Sequence, residues 1–255
     1  KEVGNSALEG SPLFDASNSL AFSRYDPDAA NALLDGIGLT ERRGDGTRLL
    51  PDGRPLEIIV ETAGERSEEV DALELITETW REIGVRLLAR PSDRDILRNR
   101  SYSGQTMMTV WTGWDLGVPT PDLSPEELAP TRQSTLIWPK WGQHFQSMGA
   151  MGARPDRKAA EELLDLYDGW RTGWLVDGLP ITKKQAWQRM LKIHADEQFI
   201  IGIVAQAPQP VVVSGRLRNV PEKGLYAWEP GAQFGVHRMD EFWFDDEPDK
   251  TAALK

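Results

Sequence analysis

Leu56-Glu-Ile-Ile-Val-Glu61 and Val85-Arg-Leu-Leu-Ala89 are two short apolar runs, and between them Val70, Leu73, Ile76, Trp80 and Ile83 recur at helical spacing. The outer runs have the length and composition of strands, while the stretch from residue 67 to 82 puts its Glu residues on the face opposite the apolar one. Gly84 breaks the helix just before the second strand. Strand, helix and strand at this spacing predict a parallel crossover and therefore an α/β sheet with helices packed on it. A short helix near residues 93–100 and a third strand at about 106–111 continue the alternation.

Upstream, Asp26 and Pro27 suit the cap and first turn of a helix whose Ala30, Leu33, Leu34 and Ile37 form one apolar stripe. Gly36 and Gly38 stop it. The polar excursion with Gly44-Asp-Gly46 and Pro51-Asp-Gly53 reads as hairpin or loop. Residues 1–24 read as linker or irregular lead-in, with neither an initiator Met nor the basic and apolar regions of a signal peptide, so the chain is expected to be cut from a longer one.

Downstream, Trp111-Thr-Gly-Trp114-Asp115 and Trp138-Pro-Lys-Trp141-Gly-Gln-His144 crowd four Trp and an acid into a segment that reads mostly as loop. Pro155-Asp156 then opens a helix with Ala160, Leu163, Leu164, Tyr167 and Trp170 as its stripe. Another begins at Thr182, with Gln185 completing a capping box, and runs through Trp187, Met190 and Leu191 to about residue 197. Residues 199–204 and 211–213 are strand candidates, interrupted by Pro208 and Pro210, and a further aromatic strand is expected at about 241–244. The acidic Asp245-Asp-Glu-Pro-Asp249 reads as a solvated end.

Composition narrows function. The chain has 255 residues, enough for one large domain or two small ones. Its 29 Lys and Arg stand against 40 Asp and Glu, and a net charge of −11 would repel a phosphate backbone or an anionic membrane. Nucleic acid is therefore not an expected partner. Cysteine is absent, which excludes disulfides and thiolate metal sites, and no apolar run approaches the roughly 18 residues of a membrane span.

Catalytic and cofactor signatures are missing too. There is no H-E-x-x-H, G-x-S-x-G, P-loop or complete G-x-G-x-x-G, so no cofactor is implied. His144, His194 and His237 are scattered, and His194, on a helix with no second His or Cys nearby, reads as packing. Paired acids such as Glu68 and Glu69 or Glu161 and Glu162 sit on polar helix faces.

Three landmarks in order then carry a resemblance. Tyr25-Asp-Pro-Asp-Ala-Ala-Asn-Ala-Leu-Leu-Asp-Gly-Ile-Gly-Leu39, Asp52-Gly-Arg-Pro-Leu-Glu-Ile-Ile-Val60 and Trp80-Arg-Glu-Ile-Gly-Val85 resemble the second lobe of the family 5 extracytoplasmic solute-binding proteins of ABC importers, the class of dipeptide- and oligopeptide-binding proteins. Pro208-Gln-Pro-Val-Val-Val213 and Arg216-Leu-Arg-Asn-Val-Pro221 are similar to the stretch where such chains return toward the first lobe. The resemblance covers about residues 20–244. It implies an α/β lobe of the type II periplasmic-binding fold, with a mixed sheet flanked by helices. It also implies a lead-in or hinge over 1–24, a carboxy-terminal ligand-binding lobe over 25–207 and a return crossing with tail over 208–255, hinging near 20–25 and 208–221.

Functionally the resemblance implies a non-catalytic protein that binds a peptide or oligosaccharide between two lobes and delivers it to a membrane permease, in the periplasm or otherwise outside the cytoplasm. In relatives with peptide ligands an aromatic-rich strand ends in an acid that meets the ligand's amino group, and Trp111-Thr-Gly-Trp114-Asp115 looks like that segment. Leu116-Gly-Val-Pro119 replaces the usual Tyr-Pro-rich continuation, which leaves sugar recognition open. Flat Trp faces can stack on a pyranose or cover apolar side chains, and a carboxylate can take an ammonium or sugar hydroxyls. The expected ligand contacts are Trp111, Trp114, Asp115, Trp138, Trp141 and His144, with no metal. Two other readings share these residues. One is a carbohydrate hydrolase drawing paired carboxylates from Asp115, Asp122, Glu126 and Glu127; the other is an interaction module that docks a partner through exposed Trp.

Overall fold

The computed structural model describes residues 6–111, 113–114, 118–203, 210–224 and 239–245. In chain order the elements are α1 (Ala16–Ser19), α2 (Pro27–Gly36), β1 (Glu57–Thr62), α3 (Ser67–Glu82), β2 (Arg86–Pro91), α4 (Arg94–Tyr102) and β3 (Met108–Thr109). They continue with α5 (Pro139–Gln146), α6 (Lys158–Thr172), α7 (Lys183–Glu197), β4 (Leu217–Arg218) and β5 (Trp243–Phe244). Contacts divide the chain into two interleaved units: residues 1–21, 113–124 and 181–255 form one, and residues 22–112 and 125–180 the other. Among the described residues no helix is long and apolar enough to cross a membrane.

The larger unit contains a parallel sheet in the order β2-β1-β3. β1 pairs with β2 over its whole length, from Glu57 opposite Arg86 to Thr62 opposite Pro91, and with β3 at Val60 opposite Met108. Val60, Leu73 and Leu87 form its buried centre, with Ile58, Ile76, Trp80, Met108 and Val110 packed around them. Burial of each such aliphatic side chain contributes about 1.5–3 kcal/mol. The crossover expected from residues 56–89 is thus present, and α3 lays its Leu73, Ile76 and Trp80 stripe on the sheet.

The loop before β1 is fastened by a buried cation. Arg48 donates to the Ile83 carbonyl (2.8 Å), to Asn31 Oδ1 (2.7 Å), to Asp35 Oδ1 (2.5 Å) and to the Leu39 carbonyl, tying the end of α2 to the end of α3. Gly84 lies against it: a Cβ there would fall 2.7 Å from Arg48 Cγ, and its φ of +83° is itself unfavourable for other residues. Asp26 caps α2 and Pro27 occupies its first turn, as the sequence suggests. No residue of α2 is buried, however. Leu33 and Ile37 face solvent, so periodicity located the stripe without locating a partner for it.

Three further expectations are corrected. The segment before His144 is not all loop, because residues 139–146 form α5, with Trp138 at its N-cap and Pro139 in its first turn. Gly142 lets that helix touch the preceding loop, where a Cβ would meet the Arg132 carbonyl oxygen at 2.0 Å. In α6 the buried positions are Ala160, Leu163, Leu166 and Gly169, so Leu166 rather than Leu164 faces inward. Residues 199–203 and 210–214 adopt no strand, and Val211 and Val212 are exposed; residues 204–209 lie outside the described residues.

The smaller unit is built on α7. Thr182 and Gln185 form the capping box that the sequence predicts, and Ala186, Trp187, Met190, Leu191, His194 and Ala195 are buried. Trp187 donates its indole N–H to the Leu123 carbonyl (2.9 Å), Lys183 pairs with Asp122 (2.9 Å), and Ser11 donates to the Pro119 carbonyl (2.5 Å). These bonds fix residues 118–124 against α7 and the amino-terminal segment. β4 and β5 pair antiparallel as a sheet of their own, and Arg218 clasps Asp245 across them at 2.9 Å. Among the described residues, the parallel and antiparallel pairings expected of one mixed sheet occur in two sheets.

Candidate ligand-binding site

Because β1, β2 and β3 run parallel, their carboxyl ends share one edge, and the segments leaving them converge there. Open α/β sheets bind ligands at that edge. Trp111 emerges there just after β3 and remains 38% exposed. α4 follows β2, capped by Asp93 accepting from the Asp95 amide. Its Arg94 and Arg98, four residues apart and so on one face, hold their guanidinium carbons 5.3 and 6.0 Å from the Trp111 ring centroid.

The two cations are not equivalent. Arg94 is held by a two-point fork from Glu65, the third residue after β1, with Nε to Oε1 at 2.7 Å and Nη2 to Oε2. That hydrogen bonding holds the Glu65 carboxyl below its ordinary range and raises Arg94. Arg98 has no ion-pair partner among the described residues and is half-buried. Deeper in the edge, fully buried Glu61 accepts from Arg100 at 2.8 and 3.0 Å. The arrangement presents an aromatic face, one guanidinium held in a two-point fork and a second outside any ion pair among the described residues, suited to a planar or apolar group that carries an acceptor or an anion.

The other expected contacts are distributed. Trp138 is 8% exposed and stacks on half-buried Trp141, with centroids 6.0 Å apart, so α5 gathers that pair with His144 in its last turn. Trp114 belongs to the smaller unit, edge-on to the buried His194 ring at 4.9 Å, and His194 also meets Phe199 at 5.6 Å. The Trp114 indole N–H is buried without a hydrogen-bond partner among the described residues. Asp115 lies outside the described residues. Arg94, Arg98 and Glu65 were not singled out from sequence. The available signal was two Arg at helical spacing directly after the second strand of a parallel crossover.

Residues 2–135 match the family model described as bacterial extracellular solute-binding proteins, family 5, middle. The chain belongs to that family. Family 5 is a solute-binding, non-catalytic class, and its members work outside the cytoplasm. No curated protein matches the sequence. Among solved structures, this family 5 chain is similar to the oligopeptide-binding protein OppA, with 26% identity over 79% of the chain and 33% of OppA, at a TM-score of 0.65. It also shares its fold with the periplasmic binding protein MelB of Agrobacterium fabrum, solved with stachyose (18% identity, 77% of this chain and 28% of that one, TM-score 0.60). A third likeness is the oligopeptide-binding protein of Thermus thermophilus complexed with a pentapeptide (17%, 78% and 33%, TM-score 0.52). The chain spans about a third of the length of the solved structures it matches.

Proposed function

We propose that this family 5 chain is part of the substrate-binding component of an ABC importer, taking up a peptide or oligosaccharide outside the cytoplasm and passing it to a membrane permease. The protein catalyses no reaction in this reading; enclosure between lobes and release do the work. The carrying observation is the exposed Trp111 ring, flanked by Arg94 and Arg98 at the carboxyl edge of the parallel sheet in a chain of this family. Trp111 would cover an apolar side chain or a sugar ring, and Arg98 would take a carboxylate or hydroxyl. Peptide and sugar both fit that chemistry, in keeping with neighbours of the same fold solved with a pentapeptide and with stachyose.

The test is thermal unfolding of the complete protein against a panel of peptides and oligosaccharides, since a ligand that binds only the folded state raises the midpoint by mass action. A shift with one chemical class supports the reading and names the substrate class. No shift with any member removes it.

A further inference from the structure

The turn after α5 collects three soft or borderline metal donors within eight residues: His144-Phe-Gln-Ser-Met148-Gly-Ala-Met151. Methionine is normally a buried, gap-filling residue, yet Met148 is 94% and Met151 59% exposed. Neither thioether packs in the core, and Met148 also holds a φ of +52°, a backbone conformation that an unbranched apolar residue has no intrinsic reason to adopt.

The backbone brings the three residues together. The Gly149 amide bonds the His144 carbonyl (2.8 Å), the Met151 amide bonds Ser147 Oγ (2.9 Å), and the Ala153 amide bonds the Lys140 carbonyl (3.0 Å), so residues 147–153 fold back along α5. The residues that follow the two methionines both touch His144. A methyl group on Gly149 would sit 3.4 Å from His144 Cε1 and 3.8 Å from Nε2, and one on Gly152 would sit 2.7 Å from the His144 amide nitrogen. The half-buried imidazole makes no hydrogen bond among the described residues. Two exposed thioethers and an imidazole without a hydrogen bond among the described residues therefore lie on one turn.

We infer that His144, Met148 and Met151 form a binding site for a soft monovalent metal ion, Cu(I). Thioether sulfur is a poor ligand for hard or borderline divalent cations and a good one for Cu(I), and a single neutral imidazole completes a three-coordinate set. Among the described residues no group of three or more His, Cys, Asp or Glu gathers anywhere, so the donors available here are the soft ones. The set carries no charge, which suits a monovalent ion and gives no advantage to Zn(II) or Ni(II).

The site is tested on the complete protein under anaerobic conditions, by competition for Cu(I) against a chromophoric cuprous chelator. The comparison is with Met148→Leu/Met151→Leu, which keeps the size and apolarity of two exposed side chains and leaves the fold, checked by circular dichroism, unchanged. The wild type is expected to withdraw one Cu(I) per chain and to show sulfur and nitrogen neighbours by X-ray absorption. The double variant is expected to bind at least tenfold more weakly, and equimolar Zn(II) or Ni(II) to leave the wild-type result unaltered. Failure of the wild type to compete, a metal shell without sulfur, or a loss of less than tenfold in the double variant overturns the assignment. Peptide or sugar binding is not a readout of this experiment, so its outcome is independent of the transport reading.

Discussion

Arg100 donates to both carboxylate oxygens of Glu61, at 2.8 and 3.0 Å, and Glu61 is fully buried on the central strand of the parallel sheet while the Arg100 side chain keeps 30% of its exposure. The pair joins α4 to β1 directly beneath the Trp111 edge. Removing one partner of a buried pair leaves the other uncompensated, which typically costs 3–5 kcal/mol. Arg100 can recover some hydration, so Glu61→Gln is expected at the low end, about 3 kcal/mol. Urea denaturation checks it: the midpoint should fall while the slope stays constant. A loss under about 1 kcal/mol would show that the pair adds little.

At the sheet edge the prediction concerns binding. Trp111→Ala and Arg98→Ala should each weaken the ligand found in the thermal panel by roughly tenfold or more, equivalent to about 1.4 kcal/mol. Arg94→Ala should cost less, because Glu65 already occupies that guanidinium. Isothermal titration of the complete protein measures all three. Equal losses for Arg94 and Arg98 would contradict the inequivalence of the two cations.

Glu65 supplies a pH dependence whose sign is fixed. Its carboxyl is held below the ordinary value chiefly by the hydrogen bonds from Arg94. A depressed acid contributes stability that is fully present above its unfolded pKa, about 4.3, and is lost as pH falls through the lower folded value. Wild type and Glu65→Gln should therefore differ most near neutrality and converge on acidification below about pH 4. The two curves come from denaturant midpoints across pH. A constant gap across that range would mean the fork is not the source.

Two glycine substitutions should act in opposite directions. In Gly142→Ala the new methyl meets backbone at 2.0 Å, and overpacking against an atom that cannot rotate away should cost about 1–3 kcal/mol or more. Gly36→Ala, in the last turn of α2 with open space around it, should be neutral or stabilising by about 0.5 kcal/mol. Thermal midpoints of the two variants, measured side by side, decide both.

Much of this architecture was legible because it rests on local signals. The β1-α3-β2 crossover was written in periodicity, α2 in Asp26 and Pro27, and α7 in the Thr182 and Gln185 box. The misreadings arose where distant chain decides. A run such as Val211-Val-Val213 has strand propensity but no strand beside it among the described residues, and α5 was masked by Pro139 and Gly142, residues that usually mark loops but here serve as a first-turn residue and a close-packing point. Trp111 was recognisable as a candidate because a Trp after a strand invites a function. Arg98 gained meaning only when α4 brought it over that ring, since an arginine on a short polar helix is ordinarily a solvated one.

The interleaving of the two units bears on how the chain emerges from the ribosome. Every described part of the larger unit, residues 22–111 and 125–180, has been synthesised before the first residue of α7 appears. The parallel sheet can therefore consolidate during translation, in line with the general tendency of units to fold in the order in which they are made. α1 and the loop carrying Leu123, although made earlier, both pack on α7 and must wait for it. Translation order thus assigns residues made ahead of the larger unit to the unit that is completed after it.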